Sequence, residues 1–543
     1  MAAPWRFLLV ACIAVAATPS RAVLADRPRF AVIAHTADLL EPAKAWRDYR
    51  RSQGWEIALV AAPRDATAES LHTAIHALVA ARPVDENELT AVLLLGDVGT
   101  DAIPTFYFDQ PDPVLLPGGE AQFASDHPYA LPDPKDERRM IAVGRVAVAT
   151  PDEAMRVLAK IRRYEQEAPA GPWRRRINYV AGEGRFGDFD ALLESLFRAF
   201  LDTFVPDTFD ITLTYAKADS PWCPPPSQLE ETALARLSEA ALLFNYVGHG
   251  HAQGVDTLRW SIDGAARKTA ILRGAALERL PACDGRIPLA LMSCCSTGWF
   301  DLADHQGRRR DCIAETMLKH SDGPIAVIAG TRPTHPYGNA LMQKEFTREL
   351  IAHPELPLGE IDRRARRAML RTDRSDRRLD SIARPIAALT RWHSSLEELQ
   401  LMHVRMYVLL GDPMLRVAAP GAAMSSLRVD GGALEGHVDH MQSGTVTVTI
   451  ETARGDSARA AELQAAVAGD DLEARAAHNY PIANARVLWH GTGDVRDGAF
   501  RVRLPTSFAD NARILRVHAT GTDATQRSMD ATAVLRRVQG NWK

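Results

Sequence analysis

The sequence predicts an α/β protein made of two parallel-sheet units in succession, closed by a small antiparallel β-sandwich. Three observations carry that prediction. Apolar strands without polar alternation recur between helices with one apolar face, the pattern of a parallel sheet covered on both sides. Several of these strands run out directly into Gly, His, Cys or Thr. Beyond Ala418 the texture changes to alternating apolar and polar residues broken by turn signals. At 543 residues the chain exceeds what one hydrophobic core can organise. With 64 basic and 68 acidic residues its net charge is −4, which gives no reason to expect nucleic acid or an anionic membrane as main partner.

The N-terminus, MAAPWRFLLVACIAVAATPSRA, has one arginine, an apolar run from Phe7 to Ala17, and small residues around Ser20-Arg21-Ala22 or Val23-Leu24-Ala25. Residues 1–25 therefore read as a signal peptide, with export and cleavage expected. The run is too short to span a bilayer comfortably, and no other stretch looks transmembrane. Leu9-Val10-Ala11-Cys12 also fits a lipoprotein box, but too little apolar sequence precedes it. Removal of the signal leaves Cys223, Cys283, Cys294, Cys295 and Cys312. In an oxidising compartment an odd number leaves at least one thiol free or paired with another molecule.

Residues 27–170 form the first unit. RFAVIAHTADLLEPAKAWRDYRRSQGWEIALVAA reads as strand, helix, a stop at Gly54 and a second strand. A helix around Leu71 to Ala81, the strand TAVLLLGDVG, the strand MIAVGRVAV and a helix from Asp152 to Glu165 follow. Residues 171–420 form the second unit, with four apolar strands in INYVAGEG, ALLFNYVGHG, IPLALMSCC and GPIAVIAGT, and a close at MYVLLGDPMLRV. In open parallel sheets ligands bind beyond the carboxyl ends of the strands, so these endings are where a site belongs. Residues 421–540 form the sandwich, from GTVTVTIET, ARVLWHG, GAFRVRL and ARILRVHATG.

Two strand endings carry candidate chemistry. In LMSCCSTGWF, Cys294 and Cys295 project to opposite faces, so at most one faces a given site. Position alone leaves nucleophile and small core residue equally open. In NYVGHGH, His249 sits between two glycines, where a histidine is seldom needed for packing. The 46-residue step from His249 to Cys295 leaves room for a crossover that returns the chain to a parallel neighbour. A thiolate and an imidazole at adjacent strand ends can perform acyl transfer. A zinc site from His249, His251 and the cysteines is the competing reading, weakened because adjacent thiols chelate poorly. Glu183 at another strand end could orient the histidine. Asp188 and Asp190 follow it; carboxylates on a loop are commonly solvated or helix caps. Trp260, Trp299 and Phe300 suit packing or a pocket wall. The arginine-rich stretch from Asp362, with interleaved aspartates, suits a solvated helical face better than a nucleic-acid surface.

Together these residues resemble the gingipain-type cysteine peptidases of the caspase-like clan. The clan places His-Gly after one apolar strand and the nucleophilic Cys after the next, here ALLFNYVGHG and LALMSCCSTGWFD. The family's Cys, two residues, Gly, one residue, Phe aligns on Cys295, Gly298 and Phe300. LLLGD near Asp97, SDHPYA near Asp126, GRVAV near Gly144, RRYE near Glu165, AETML, PIAVIAGTR and LLGDPMLRV follow the family's landmarks in order. The resemblance implies two caspase-like α/β subdomains, the first non-catalytic, followed by an immunoglobulin-like sandwich.

Carried over by residue, the resemblance makes Cys295 the nucleophile and His249 the general acid/base. The N–H groups of Gly250 and Cys295 become oxyanion donors, and Glu183 the orienting acid. Cys294 is expected to point into the core, while Asp188, Asp190 and Trp299 are candidates for a substrate pocket. The expected function is an exported endopeptidase, periplasmic, surface-bound or secreted, acting on proteins or peptides through a thioester. A sortase-like transpeptidase and a catalytically silent envelope binding protein are the alternatives. The chemistry needs no cofactor. Relatives often bind structural calcium, although no loop here has a convincing calcium spacing. No nucleic acid and no integral membrane segment are expected after signal cleavage, and the sequence leaves oligomeric state, cleavage preference and activation open.

Overall fold

A computed structural model describes residues 27–82, 88–99, 102–110, 120–185, 200–262, 264–371, 395–418, 424–467 and 470–543. The predicted signal peptide and both Asp188 and Asp190 lie outside the described residues.

The apolar runs of both units join one ten-stranded sheet. Its order is Glu56–Ala61, Arg29–His35, Leu89–Leu95, Ala142–Val146, Tyr407–Leu410, Val327–Gly330, Leu289–Ser293, Leu243–Val247, Arg176–Gly182 and Asp210–Ala216. The first five strands run parallel to one another, as do the last five. The two blocks meet antiparallel where Tyr407–Leu410 pairs with Val327–Gly330. Burial on both faces explains the lack of polar alternation: Val92, Leu93 and Leu94 are fully buried, as are Leu243 and Phe244.

Local signals set the covering helices. Helix Leu40–Arg51 ends before Gly54, which takes φ +85°, a conformation open to glycine. Thr67 and Ser70 close a capping box at helix Ala68–Ala80. Thr150 caps helix Pro151–Glu167, whose proline occupies the first turn, where its missing N–H is no loss.

Several of the motifs picked out in the sequence are buried polar joints. Arg145 of GRVAV holds Asp126 of SDHPYA through Nε at 2.6 Å and Nη2 at 2.7 Å. Asp412 of LLGDP accepts from Trp46 Nε1 at 2.6 Å and from Arg50 Nη2 at 2.6 Å. Arg50 also reaches Glu165 at 2.9 Å, and all three charged side chains are wholly buried. These pairs fasten the closing turn of the second unit to helices of the first. Of the arginines after Asp362, Arg363 and Arg364 bind Glu360, and Arg366 binds Asp362.

The C-terminal body is one continuous eight-stranded antiparallel sheet, ordered 424–430, 433–438, 499–503, 487–496, 443–451, 514–522, 528–538 and 541–542. It curls until its first strand approaches strand 528–538, enclosing a separate core that includes Leu434, Val448, Leu515 and Val517. Helix Leu472–Ala483, capped by Asp471, interrupts this sheet and was not expected from the sequence. It covers the outermost strand of the large sheet. Asn484 Oδ1 accepts from Leu213 N–H at 3.2 Å and its Nδ2 donates to Leu213 O at 3.1 Å, while Tyr480 Oη meets Thr214 Oγ1 at 2.6 Å. A side-chain amide thus takes the place of a neighbouring strand on an exposed edge.

Candidate active site

Strands Leu243–Val247 and Leu289–Ser293 are direct parallel neighbours, in a register that sets Val247 opposite Ser293. His249 and Cys295 each lie two residues beyond these ends, so the topology delivers both to one edge of the sheet. Gly248 turns the chain at φ +149°; a Cβ there would stand 2.8 Å from Tyr246 Oη. After His249, Gly250–His251 pairs back on Gly254–Val255. Gly250 lies flat against the cysteine loop: a Cβ would fall 2.7 Å from Cys295 O and 2.8 Å from Cys294 Sγ. Only glycine allows the two loops to touch this closely.

The cysteine loop is held from the other side by the turn after strand Val327–Gly330. Ser296, in the left-handed region at φ +56°, donates its N–H to Arg332 O at 3.1 Å, and Gly298 N–H donates to Gly330 O at 2.9 Å. Cys294 is fully buried, its sulfur 3.4 Å from Thr297 Oγ1. Cys295 is only half-buried, and its own N–H makes no hydrogen bond among the described residues. The expected split between the two cysteines, one into the core and one toward the rim, is present. All five described cysteines are free thiols.

Burial pushes the Cys295 thiol up, while the N–H and hydroxyl of Thr334 pull it back. Those two donors lie 3.4 Å and 3.8 Å from Sγ. His249 Nε2 lies 2.8 Å from Gly184 O. A carbonyl only accepts, so Nε2 carries the proton of the neutral ring and Nδ1 the lone pair. The histidine main chain is fixed as well: its carbonyl accepts from Tyr246 Oη at 2.9 Å and from Asp256 N–H at 3.2 Å.

Glu183 immediately precedes Gly184, and its half-exposed carboxylate is 4.0 Å from Arg185 Nε. Arg185 in turn binds Asp256 Oδ2 at 2.9 Å. Trp299 is half-buried, with the Arg332 guanidinium 4.2 Å from its ring centre. Arg332 also makes a two-pronged pair with Asp301 at 2.7 Å and 2.6 Å. Among the described residues no group of three or more His, Cys, Asp or Glu could hold a metal ion, so no carboxylate or thiolate cage for calcium or zinc is found there.

Thr334, Arg332, Tyr246 and the Gly184 carbonyl were not singled out from the sequence. The ending GTRPTHP gave a usable signal for the first two, because it follows an apolar strand like the cysteine and histidine motifs. Tyr246 lies inside a strand and Gly184 acts through main chain, so neither carries a pattern.

The fold is matched by comparison with known proteins. No curated protein matches the chain in sequence. The fold is similar to that of the Arg-specific cysteine proteinase gingipain R, at 16% identity and a TM-score of 0.51 over 94% of this chain and 98% of that one. It is similar also to the complex of the Porphyromonas gingivalis RgpB pro- and mature domains, at 16% identity and TM-score 0.50 over 94% and 99%. A further structure described as a protease matches at 14% identity and TM-score 0.50 over 94% and 97%. In sequence, the profile of peptidase family C25 matches residues 24–418, the whole of the large sheet. The chain belongs to peptidase family C25, the gingipain family, and is a cysteine-type peptidase.

Proposed function

We propose that the protein is an exported endopeptidase that cleaves peptide bonds through a Cys295–His249 dyad and a thioester on Cys295. The observation that carries this reading is Gly250, packed against the Cys295 carbonyl where two neighbouring parallel strands end. It supports a site shared by the two loops.

His249 Nδ1, left basic by the Nε2–H bond to Gly184 O, accepts the Cys295 thiol proton as Sγ attacks the substrate carbonyl carbon. The N–H groups of Gly250 and Cys295 receive the charge that develops on the carbonyl oxygen; removing one such donor typically costs about 3–4 kcal/mol of transition-state stabilisation. As the C–N bond breaks, the imidazolium returns its proton to the departing amine, leaving a thioester. Water then loses a proton to Nδ1 and attacks the thioester, releasing the acid and restoring the thiol.

Glu183 orients the histidine through the loop it shares with Gly184, its carboxylate facing the Arg185 guanidinium that binds Asp256. Trp299, backed by Arg332, forms one wall of the substrate pocket. The acyl transfer itself uses no cofactor. Export rests on the signal-like segment at residues 1–25; no helix among the described residues is long and apolar enough to cross a membrane.

Profiling a peptide library with the wild type beside Cys295→Ala tests the proposal. Cleavage by the wild type alone is expected. Equal cleavage by both proteins, or by neither, overturns it. An added amine captured in the products would assign transpeptidation in place of hydrolysis.

A further inference from the structure

The two-stranded ribbon Thr257–Ile262 and Ala265–Ala270 belongs to neither large sheet and starts eight residues after His249. Its base is tied to the catalytic rim. Asp256 N–H donates to His249 O at 3.2 Å, and Arg185, next to the Gly184 that holds the imidazole, forms an ion pair with Asp256 Oδ2 at 2.9 Å and donates to Thr257 O at 2.6 Å. One face of the ribbon is anchored: Leu258 is buried, and Trp260 packs on the core with its indole N–H 3.1 Å from Thr269 Oγ1. On the other face Arg259 stands directly across from Lys268, both exposed, while exposed Arg267 lies across from Trp260 and so shares the anchored face.

None of these three cations makes an ion pair or hydrogen bond among the described residues. Other arginines around the site are paired: Arg185 with Asp256, Arg273 with Glu230, Arg279 with Glu231, Arg309 with Asp97 and Arg332 with Asp301. Like charges directly opposite one another destabilise an antiparallel pair, and an isolated two-stranded ribbon is marginal to begin with. Among the described residues nothing offsets the repulsion between Arg259 and Lys268, and their side-by-side placement suits an external anion.

We infer that the ribbon docks an acidic segment of the protein substrate, a few residues away from the bond being cut. The inference rests on the peptidase reading. Arg259 and Lys268 lie two residues from the ribbon's base, about 7 Å along it, so an extended peptide seated in the site reaches them within two to four residues. An occupant covalently continuous with the scissile peptide is favoured because the ribbon springs from the rim itself. A lipid surface would have no such reason to meet it there.

The test uses two fluorogenic peptides with the same cleavable core, one flanked by four Glu and one by four Gln, each flank tried on both sides. Wild type and Arg259→Gln/Lys268→Gln are compared. The wild type should cleave the Glu peptide with kcat/KM about five- to tenfold higher at low salt, from two exposed charge contacts. That advantage should vanish in the double variant and at about 0.5 M NaCl, where screening is short-ranged. Both proteins should cleave the Gln peptide equally. No preference in the wild type, or a preference that survives in the variant, overturns the inference. If neither peptide is cleaved the peptidase reading is the one that fails, and anisotropy of the same peptides on Cys295→Ala still reads the docking. Charge-dependent binding to phosphatidylserine vesicles with no difference between the peptides would reassign the ribbon to a membrane and sink the proposal.

Discussion

The main-chain N–H of Thr334 lies 3.4 Å from the sulfur of Cys295, on a loop contributed by the neighbouring strand Val327–Gly330. The Thr334 hydroxyl reaches the same sulfur at 3.8 Å. Both donors favour the thiolate, against the burial that disfavours it. Thr334→Val keeps the N–H and removes the hydroxyl, so the thiol pKa should rise. Alkylation by iodoacetamide at neutral pH should slow roughly three- to tenfold, the worth of one modest hydrogen bond. An unchanged rate–pH profile would show that the hydroxyl has no part in thiolate formation.

Gly250 leaves no room for a side chain. In Gly250→Ala the new Cβ would sit 2.7 Å from Cys295 O, so one loop must move. Displacement of about 1 Å between reacting groups can lower turnover on the order of a hundredfold. The variant should lose that much kcat while its thermal midpoint, read by circular dichroism, stays near wild type.

Asp412 is the acceptor for both Trp46 and Arg50, with all of these side chains buried. Asp412→Asn leaves Arg50 with Glu165 as its remaining counter-charge, and should cost about 3–5 kcal/mol in urea unfolding. Burial alone would raise the Glu165 carboxyl, but the Arg50 charge, with hydrogen bonds from the Arg416 main-chain N–H, Tyr49 and Gln53, holds it below the ordinary carboxylate range. Its contribution is therefore complete above the unfolded value near 4.5 and fades as pH falls through the lower folded value. A stability profile flat to well below that point would contradict the pairing.

Glu315 behaves in the opposite sense. Burial, with Asp97 and Asp311 nearby, pushes its carboxyl up to about 8, while Cys312 N–H donates to Oε2 at 2.8 Å. The folded state then binds more protons than the unfolded one between about 4.5 and 8, and stability should fall as pH rises through that window. Glu315→Gln keeps an acceptor for the Cys312 N–H and should flatten this part of the profile. A parallel decline in both proteins would show that Glu315 is not its source.

Asn484→Ala removes the amide that closes the edge strand Asp210–Ala216 at Leu213. The exposed N–H and C=O invite pairing with a second chain. Light scattering over a concentration series should show self-association that the wild type lacks at the same concentrations.

Much of the large sheet was legible because its strands are fully buried, which forces continuous apolar runs such as LLFNYV and LALMS. Their endings pointed to His249 and Cys295 for the same reason: polar residues after such runs can only be at the rim. The ribbon at 257–270 does carry a hairpin signal, alternating Leu258, Trp260 and Ile262 ahead of Asp263-Gly264, but it lies between the long apolar runs that drew the reading. Helix Leu472–Ala483 was masked by Pro481 near its end and by alanines that carry little periodic signal. The Gly184 carbonyl and the Thr334 amide belong to main chain, which every residue has, so no residue type announces them. The pairing of Arg145 with Asp126 and of Arg50 with Asp412 joins segments far apart in the chain, and single-sequence spacing does not encode such partners.

The strand Tyr407–Leu410 lies between the two parallel blocks and is the last of the ten to leave the ribosome. Until it appears, Ala142–Val146 and Val327–Gly330 each present an open edge, so the nascent polypeptide must carry two incomplete half-sheets through most of its synthesis. A truncation ending before residue 407 should accordingly yield chaperone-bound or insoluble material, whereas one ending just past the Gly411–Pro413 turn restores the keystone that lets the halves close.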